Sequence, residues 1–414
     1  MPEGQAGSFD ALRISNFRIL FSGTLLSFTA FFMSTVVQSI VAFELTGTNT
    51  AVGSAVFGQG LGMVLLGPIG GAYADRLPRR RVIATGQILS ALSLGSLGWL
   101  YAEGALRLVH LVVNSFIIGG AFGFIGPARQ ALVVDLVPIA RRGNAMALTN
   151  VANTSSRVLG PFFAGLLLWI DEIGAAVAYG TMMLLYLGSA LLLIMLPPSV
   201  VREGVDETHV FGDLTEGVRY AWNHVRLRHL LFFFVSVMLI GFPHVTLLTG
   251  LLENQLDRSA VDLTQMALFS AVGALTASVA VARYADSRYA TRIYSCMAIG
   301  FGMSLMLLAG SPSFAAGTAA IVLVGSTSGG FNSLNGAVIA RETETLYMGR
   351  VMSLTLMAFA GFSLTALPLG IVADLYGERV VLFSMGVGVL TLALVMSVIV
   401  ARDASRPKAR GEIS

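Results

Sequence analysis

Five charges interrupt an apolar stretch at "GGAYADRLPRRRV", residues 70–82: Asp75, Arg76, Arg79, Arg80 and Arg81. A carboxylate among arginines can form ion pairs, or the group can be a solvated loop. Elsewhere the residues able to do chemistry stand singly inside apolar runs. Arg157 can attract an anionic substrate group, pair with Asp135 or Glu44 across a bundle, or snorkel with structural duties only. His244 can change charge near neutral pH and so carry a proton, or can simply bond a neighbour. Gln38, Asn114, Asn332 and Asn335 can bind a solute or tie adjacent helices. Phe28, Phe31, Phe32 and Phe331 would suit a bulky apolar ligand if they face a cavity, and core or lipid otherwise. Cys296 is the sole cysteine, which excludes an intramolecular disulfide and a cysteine-based metal site. The chain has no GxxxxGK[ST] loop and so no engine for ATP-driven work. These residues predict neither an enzyme, nor a metal site, nor a cofactor.

The elements that must position them follow from composition. Of 414 residues 55% are hydrophobic and only 12% charged, and the mean hydropathy is +0.77, which predicts an integral membrane protein. Crossing about 30 Å of hydrocarbon as helix takes roughly 20 apolar residues. Twelve runs qualify: 17–43, 50–74, 82–102, 108–136, 144–169, 174–196, 230–252, 263–282, 293–310, 314–340, 351–373 and 379–401. The first run is read as a span, not as a cleavable signal peptide. With a cytoplasmic N-terminus, the inner segments hold most of the 26 Lys and Arg, the outer ones only Arg107, Arg258 and Arg379, with Arg129 and Arg157 inside spans. Positive residues concentrate on the inner side, so both termini are expected in the cytoplasm. That dispersal also favours a membrane surface over nucleic acid as the partner of a basic chain.

The polar stretch 197–229 separates residues 1–196 from 230–414, an N-terminal and a C-terminal six-helix bundle. Within it Leu214, Val218, Ala221, Trp222 and Val225 recur at helical spacing, Asp213 and Glu216 suit an N-terminal cap, and an amphipathic helix on the inner membrane surface is expected. The halves echo each other. "GGAYADRLPRR" has a weak counterpart in "VARYADSRYATR", with Asp75 matching Asp286. "GGAFGFIG" places Gly119, Gly120 and Gly126 against Gly329, Gly330 and Gly336 of "GGFNSLNG", and "RRGNAMAL" aligns with "YMGRVMSL". The near-constant offset implies duplicated, pseudo-symmetric halves.

On these residues the chain resembles the major facilitator superfamily of secondary transporters. The family signature between helices 2 and 3 is matched by Gly71, Asp75, Arg76, Arg79 and Arg80, with Pro78 in place of its second glycine. "FRILFSGTLLS", "FELTGTNTAVG", "GPARQALVVDLVP" and "NTSSRVLGPFFAGLLL" are similar to the twelve-helix exporter branch with macrolide efflux pumps and enterobactin exporters. The resemblance implies two bundles around a central cavity that opens alternately to either side. It implies that Asp75 meets the N-terminus of helix 11, where unpaired N–H groups favour an anion. Asp135 then pairs with Arg76 or Arg79, and Gly67 with Gly71 provides a small face for close helix approach. Gly160, Pro161 and Gly165 keep part of a helix 5 motif that marks exporters working by antiport; from spacing alone they serve packing and kinking equally well. Many drug/proton antiporters carry an arginine and then a glutamine within helix 4. Here Ser115 and Ile118 hold those places, so coupling by that route is not implied.

The expected protein is therefore a monomeric exporter of small amphipathic compounds in a bacterial inner membrane, exchanging them for protons. Two alternatives stand beside it: an exporter or flippase of a defined metabolite, such as a siderophore or lysophospholipid, and a non-transporting receptor or scaffold.

Overall fold

Lipid offers no partner for a peptide N–H or C=O, so each crossing segment must satisfy its backbone internally. In a computed structural model, residues 10–170, 173–197, 210–285, 287, 289–344 and 347–405 are described, apart from the side chains at 68, 71–76, 140, 210–214, 356, 359–360 and 400–405. All regular structure among them is helical. In order the helices are α1 (Ser15–Thr46), α2 (Asn49–Arg76), α3 (Arg79–Ala102), α4 (Leu108–Leu136), α5 (Arg142–Leu168), α6 (Gly174–Ile194) and α7 (Val210–Asn223). Then come α8 (Val225–Gly241), α9 (Leu248–Gln255), α10 (Leu263–Ala282), α11 (Ala290–Ala309), α12 (Phe314–Arg341), α13 (Met348–Tyr376) and α14 (Glu378–Ser405). Among the described residues 10 helical segments are long and apolar enough to cross a membrane, with α8 and α9 forming one of them. Helix α5, which carries a polar stripe, and α13, whose apolar part is Gly361–Tyr376, complete the expected set.

The seventh crossing departs from the expected continuous helix. Helix α8 ends at Gly241, and Phe242–Leu247 tightens to a 3-10 turn before α9 begins. Pro243 has no N–H to give the carbonyl four residues back, at Leu239. That carbonyl instead accepts from the Thr365 hydroxyl of α13 at 2.8 Å. The break is thus satisfied from a neighbouring helix.

Helix α7 also differs from expectation. It begins at Val210, which places Asp213 within the helix and not at its first position. Rather than resting on a membrane surface alone, α7 docks on the start of α13. Tyr220 stacks on Tyr347 with ring centroids 4.1 Å apart, Glu216 pairs with Arg350 at 3.0 Å, and Tyr220 and Ala221 are buried. Val218 and Trp222, two residues of the expected apolar stripe, remain exposed.

Glycine sets how closely the spans pack. A Cβ on Gly62 or Gly123 would strike the facing backbone of the α2–α4 pair, and one on Gly273 or Gly325 would do the same between α10 and α12. The repeat seen in sequence reappears here. Gly119 of α4 abuts α2 at Gln59 and Gly329 of α12 abuts α10 at Ala274, whereas Gly126 and Gly336 have nothing within 4 Å. Contacts between the first six spans and the rest are fewer and lie mainly between α2 and α13 and between α5 and α10. There a Cβ on Gly53 would come 2.6 Å from the Ala366 carbonyl oxygen, and one on Gly370 2.6 Å from that of Asn49.

Gly160 offers a direct test. A Cβ there would lie 2.7 Å from the Met33 nitrogen and 2.7 Å from the Phe32 Cβ. Gly160→Leu is expected to destabilise the purified protein by about 1–3 kcal/mol and lower its thermal midpoint in detergent. Gly126→Ala, in open space, should leave the midpoint unchanged.

Candidate functional site

At the arginine-rich end, α2 runs to Arg76 and the chain turns through Leu77 and Pro78 into α3. Pro78 has φ −55° and ψ 109° and caps α3, with its carbonyl accepting from the Arg81 N–H at 2.8 Å. A proline fixes that φ without strain, so nothing at this turn requires glycine. Arg79 forms an ion pair with Asp135 at the end of α4 and also donates to the Ala131 carbonyl at 3.3 Å. Arg80 donates to the Leu196 carbonyl after α6. Of the two partners expected for Asp135, Arg79 pairs with it. The side chains at Gly71, Asp75 and Arg76 lie outside those described, as does residue Asp286. Gly67 faces Gly123 of α4.

The opposite end holds a contact that the sequence reading did not anticipate. Asp374, in the last turn of α13, lies on the N-terminus of α2. Its Oδ1 accepts from the Asn49 N–H at 2.8 Å and the Asn49 Nδ2 at 3.0 Å. Its Oδ2 accepts from the Thr50 N–H at 2.8 Å and from the Thr50 hydroxyl. First-turn N–H groups have no partner within their own helix and carry the positive end of its dipole, which makes this a strong carboxylate seat. Beside it Glu378, buried at the start of α14, accepts from Asn49 Nδ2 at 2.9 Å and Asn254 Nδ2 at 2.6 Å. The spacing Gly370–Asp374 on α13 repeats that of Gly71–Asp75 on α2.

Beneath this contact lies a shallow cleft lined by Ser34, Thr35, Gln38, Gln59 and Ser115 together with Ala55, Val56 and Ile118. Gln38 donates to Asn114 Oδ1 at 3.1 Å and accepts from the Ser115 hydroxyl, while Asn114 donates to Ser93 at 2.6 Å. The structure therefore joins Gln38 and Asn114 in one network across α1, α3 and α4.

Other candidates are scattered. Gly160 lets α5 cross α1, and Gly165 lets it meet α10, where a Cβ would lie 2.8 Å from Thr264 Oγ1. Pro161 is buried between them and removes the N–H that would bond the Arg157 carbonyl. Arg157 sits near the middle of α5, its guanidinium 5.0 Å from the Phe32 ring centre and its Nε donating to Asn153 at 3.3 Å. Neither Asp135 nor Glu44 pairs with it. His244 is buried in the turn that follows α8. Its Nδ1 bonds the Gly241 carbonyl at 2.8 Å, and its ring meets Phe301 of α11 edge-on, on a core rather than a cavity wall. Asn335 accepts from the Tyr294 hydroxyl at 3.0 Å, where Tyr294 stacks on Phe331, so both belong to the packing of α11 against α12. Asn332 is half-buried and makes no side-chain hydrogen bond among the described residues.

This architecture is shared. Residues 20–362 match the Major Facilitator Superfamily. The chain belongs to that family. A bacterial homologue of the human lysosomal transporter Spinster, in an inward-facing and unoccupied conformation, superposes with a TM-score of 0.74 over 95% of this chain and 98% of its own at 13% identity. A mutant form of the nucleoside transporter NupG gives 0.71 over 92% and 99% at 14% identity. In sequence, Multidrug resistance protein 1 of Bacillus subtilis (strain 168) is 26% identical over 36% of this chain and 37% of its own length. Multidrug resistance protein MdtH of Salmonella paratyphi B is 24% identical over 54% and 52%. The chain spans about half or less of the length of these curated relatives.

For this major facilitator protein, the Asp374 contact can be tested alone. Ala51 and Val52 are buried just inside it. In a Cys296→Ser background, Ala51→Cys should react several-fold faster with a membrane-impermeant maleimide once Asp374→Ala is added. An unchanged rate would mean that the carboxylate does not hold this end shut.

Proposed function

We propose that this protein is a secondary active exporter of small amphipathic compounds that exchanges them for protons by alternating access. The reading treats residues 1–196 and 230–414 as two bundles, joined by 197–229, that rock about the cleft. The observation that carries it is the Asp374 seat on α2. A charge-to-helix-terminus contact joins the bundles at one end, next to glycine-mediated backbone contact, and leaves well-solvated groups behind when it parts. The Gly71–Asp75 spacing at the other end of α2, with Arg79 tied to Asp135, suits a matching latch on the N-terminus of α13. With the Lys and Arg excess facing the cytoplasm, the Asp75 end is cytoplasmic and the Asp374 end faces outward. Export is favoured over uptake by Gly160, Pro161 and Gly165 on α5, where both outer glycines sit at helix crossings, and by the multidrug resistance proteins among the relatives. His244 is buried against Phe301, which weighs against it as the proton carrier.

A solute screen in proteoliposomes under an imposed pH gradient tests this. Transport should require the gradient, and unchanged efflux after its collapse would exclude proton exchange. Asp75→Asn should cut turnover by about tenfold or more, the scale expected when a charge-assisted contact is lost, with insertion unaffected. Wild-type turnover in a correctly inserted variant would sink the latch.

A further inference from the structure

Apart from the shallow cleft, the face of α5 turned toward the other half carries a charge pattern that points to the class of solute. On α5 the positions Gly143, Ala147, Asn150, Thr154 and Arg157 form one accessible or half-buried stripe that continues into Pro161 and Gly165. Because Gly165 touches Thr264 of α10, this stripe faces the other half of the protein, while Val151, Phe162 and Leu166 turn outward. Arg157 is accordingly the exposed charged member of this stripe. It stands over Phe32. On the same helix face one turn earlier, Phe28 carries the guanidinium of Arg129 at 4.7 Å. Phe31 and Phe122 fill in between, with centroids 4.9 Å apart, so α1 and α4 present an aromatic wall with a guanidinium over each end.

Among the described residues neither arginine pairs with a carboxylate, and apart from Glu216 of α7 the described carboxylates lie at or near helix ends. Arg129 is buried, donates to Ser27 at 2.8 Å and leaves its Nε without a partner. Arg157 uses its Nε on Asn153, and its two terminal nitrogens have no protein partner among the described residues. Cation–π contact and neutral oxygens offset part of the cost of such charges in a low-dielectric interior, but not their sign. A cation approaching this face of α5 and the aromatic wall beside it meets net repulsion. An anion meets the planar fork of Arg157, whose geometry matches carboxylate, phosphate or sulfonate oxygens.

We infer that the transported solute is an amphipathic organic anion whose acidic group is held by Arg157 and whose apolar body lies on Phe28, Phe31, Phe32 and Phe122. The inference rests on the export reading for what happens after binding, but binding itself can be measured separately. Two probes sharing a pyrenebutyl body, one ending in a carboxylate and one in a trimethylammonium group, would be dialysed against the protein in nanodiscs of zwitterionic lipid, with empty nanodiscs subtracted. Wild type should bind the carboxylate about tenfold more tightly or better, the scale of one charge-assisted bond. Arg157→Gln should abolish that preference and Arg157→Lys should keep its direction. Size-exclusion elution of both variants shows whether they remain folded. Equal binding of the two probes, preference for the cation, binding of neither, or a preference that survives in a folded Arg157→Gln overturns the inference. Carboxylate binding without movement across proteoliposomes upholds it and counts against export instead.

Discussion

Backbone proximity at glycine is the constraint on which this architecture rests. Helices surrounded by lipid gain little by hiding apolar side chains from one another, so they associate through close packing and interhelical polar contact. Each half accordingly has tight glycine-lined pairs, among them α2 with α4 and α10 with α12, and the matched positions Gly119 and Gly329 occupy equivalent places in those two. Larger residues at these sites would part the helices and loosen everything that hangs from them.

The same rule operates between halves with a different balance. There glycine contact at Gly53 and Gly370 is supplemented by carboxylates on helix-terminal donors, an interaction that is strong when aligned and leaves soluble groups behind when broken. Within the N-terminal half, buried polarity is arranged differently. Gln38, Asn114, Ser115 and Ser93 satisfy one another, while Arg129 and Arg157 lean on phenylalanine faces. One set stiffens the wall, and the other leaves a positive field in the space it encloses.

Much of this was legible in the sequence because it rests on local pattern. Apolar run length predicts the crossings, arginine placement predicts the charged end, and the partnership of Asp135 with an arginine of the α2–α3 turn follows from the family signature. What stayed hidden depends on distant partners. Pro243 is visible in the chain, but the outcome of the break it causes depends on Thr365, far along the sequence, supplying the missing donor. His244 is a reactive residue type, yet the turn beside it takes one of its ring nitrogens. Asn335 is likewise taken by Tyr294. Asp374 repeats the spacing of Asp75, but in sequence it is one more acidic residue at a span end, and only the fold brings α2 to it.

Asp374 grips main-chain N–H groups of Asn49 and Thr50, and those donors exist whatever residues stand there, proline excepted. Selection to keep this closure therefore acts chiefly on the α13 side. Substitution at Asn49 or Thr50 would forfeit a side-chain bond to the aspartate but leave the main-chain pair in place, so correlated change between the two sides would be muted. A search for contacts through covariation would under-weight one of the main links between the two halves.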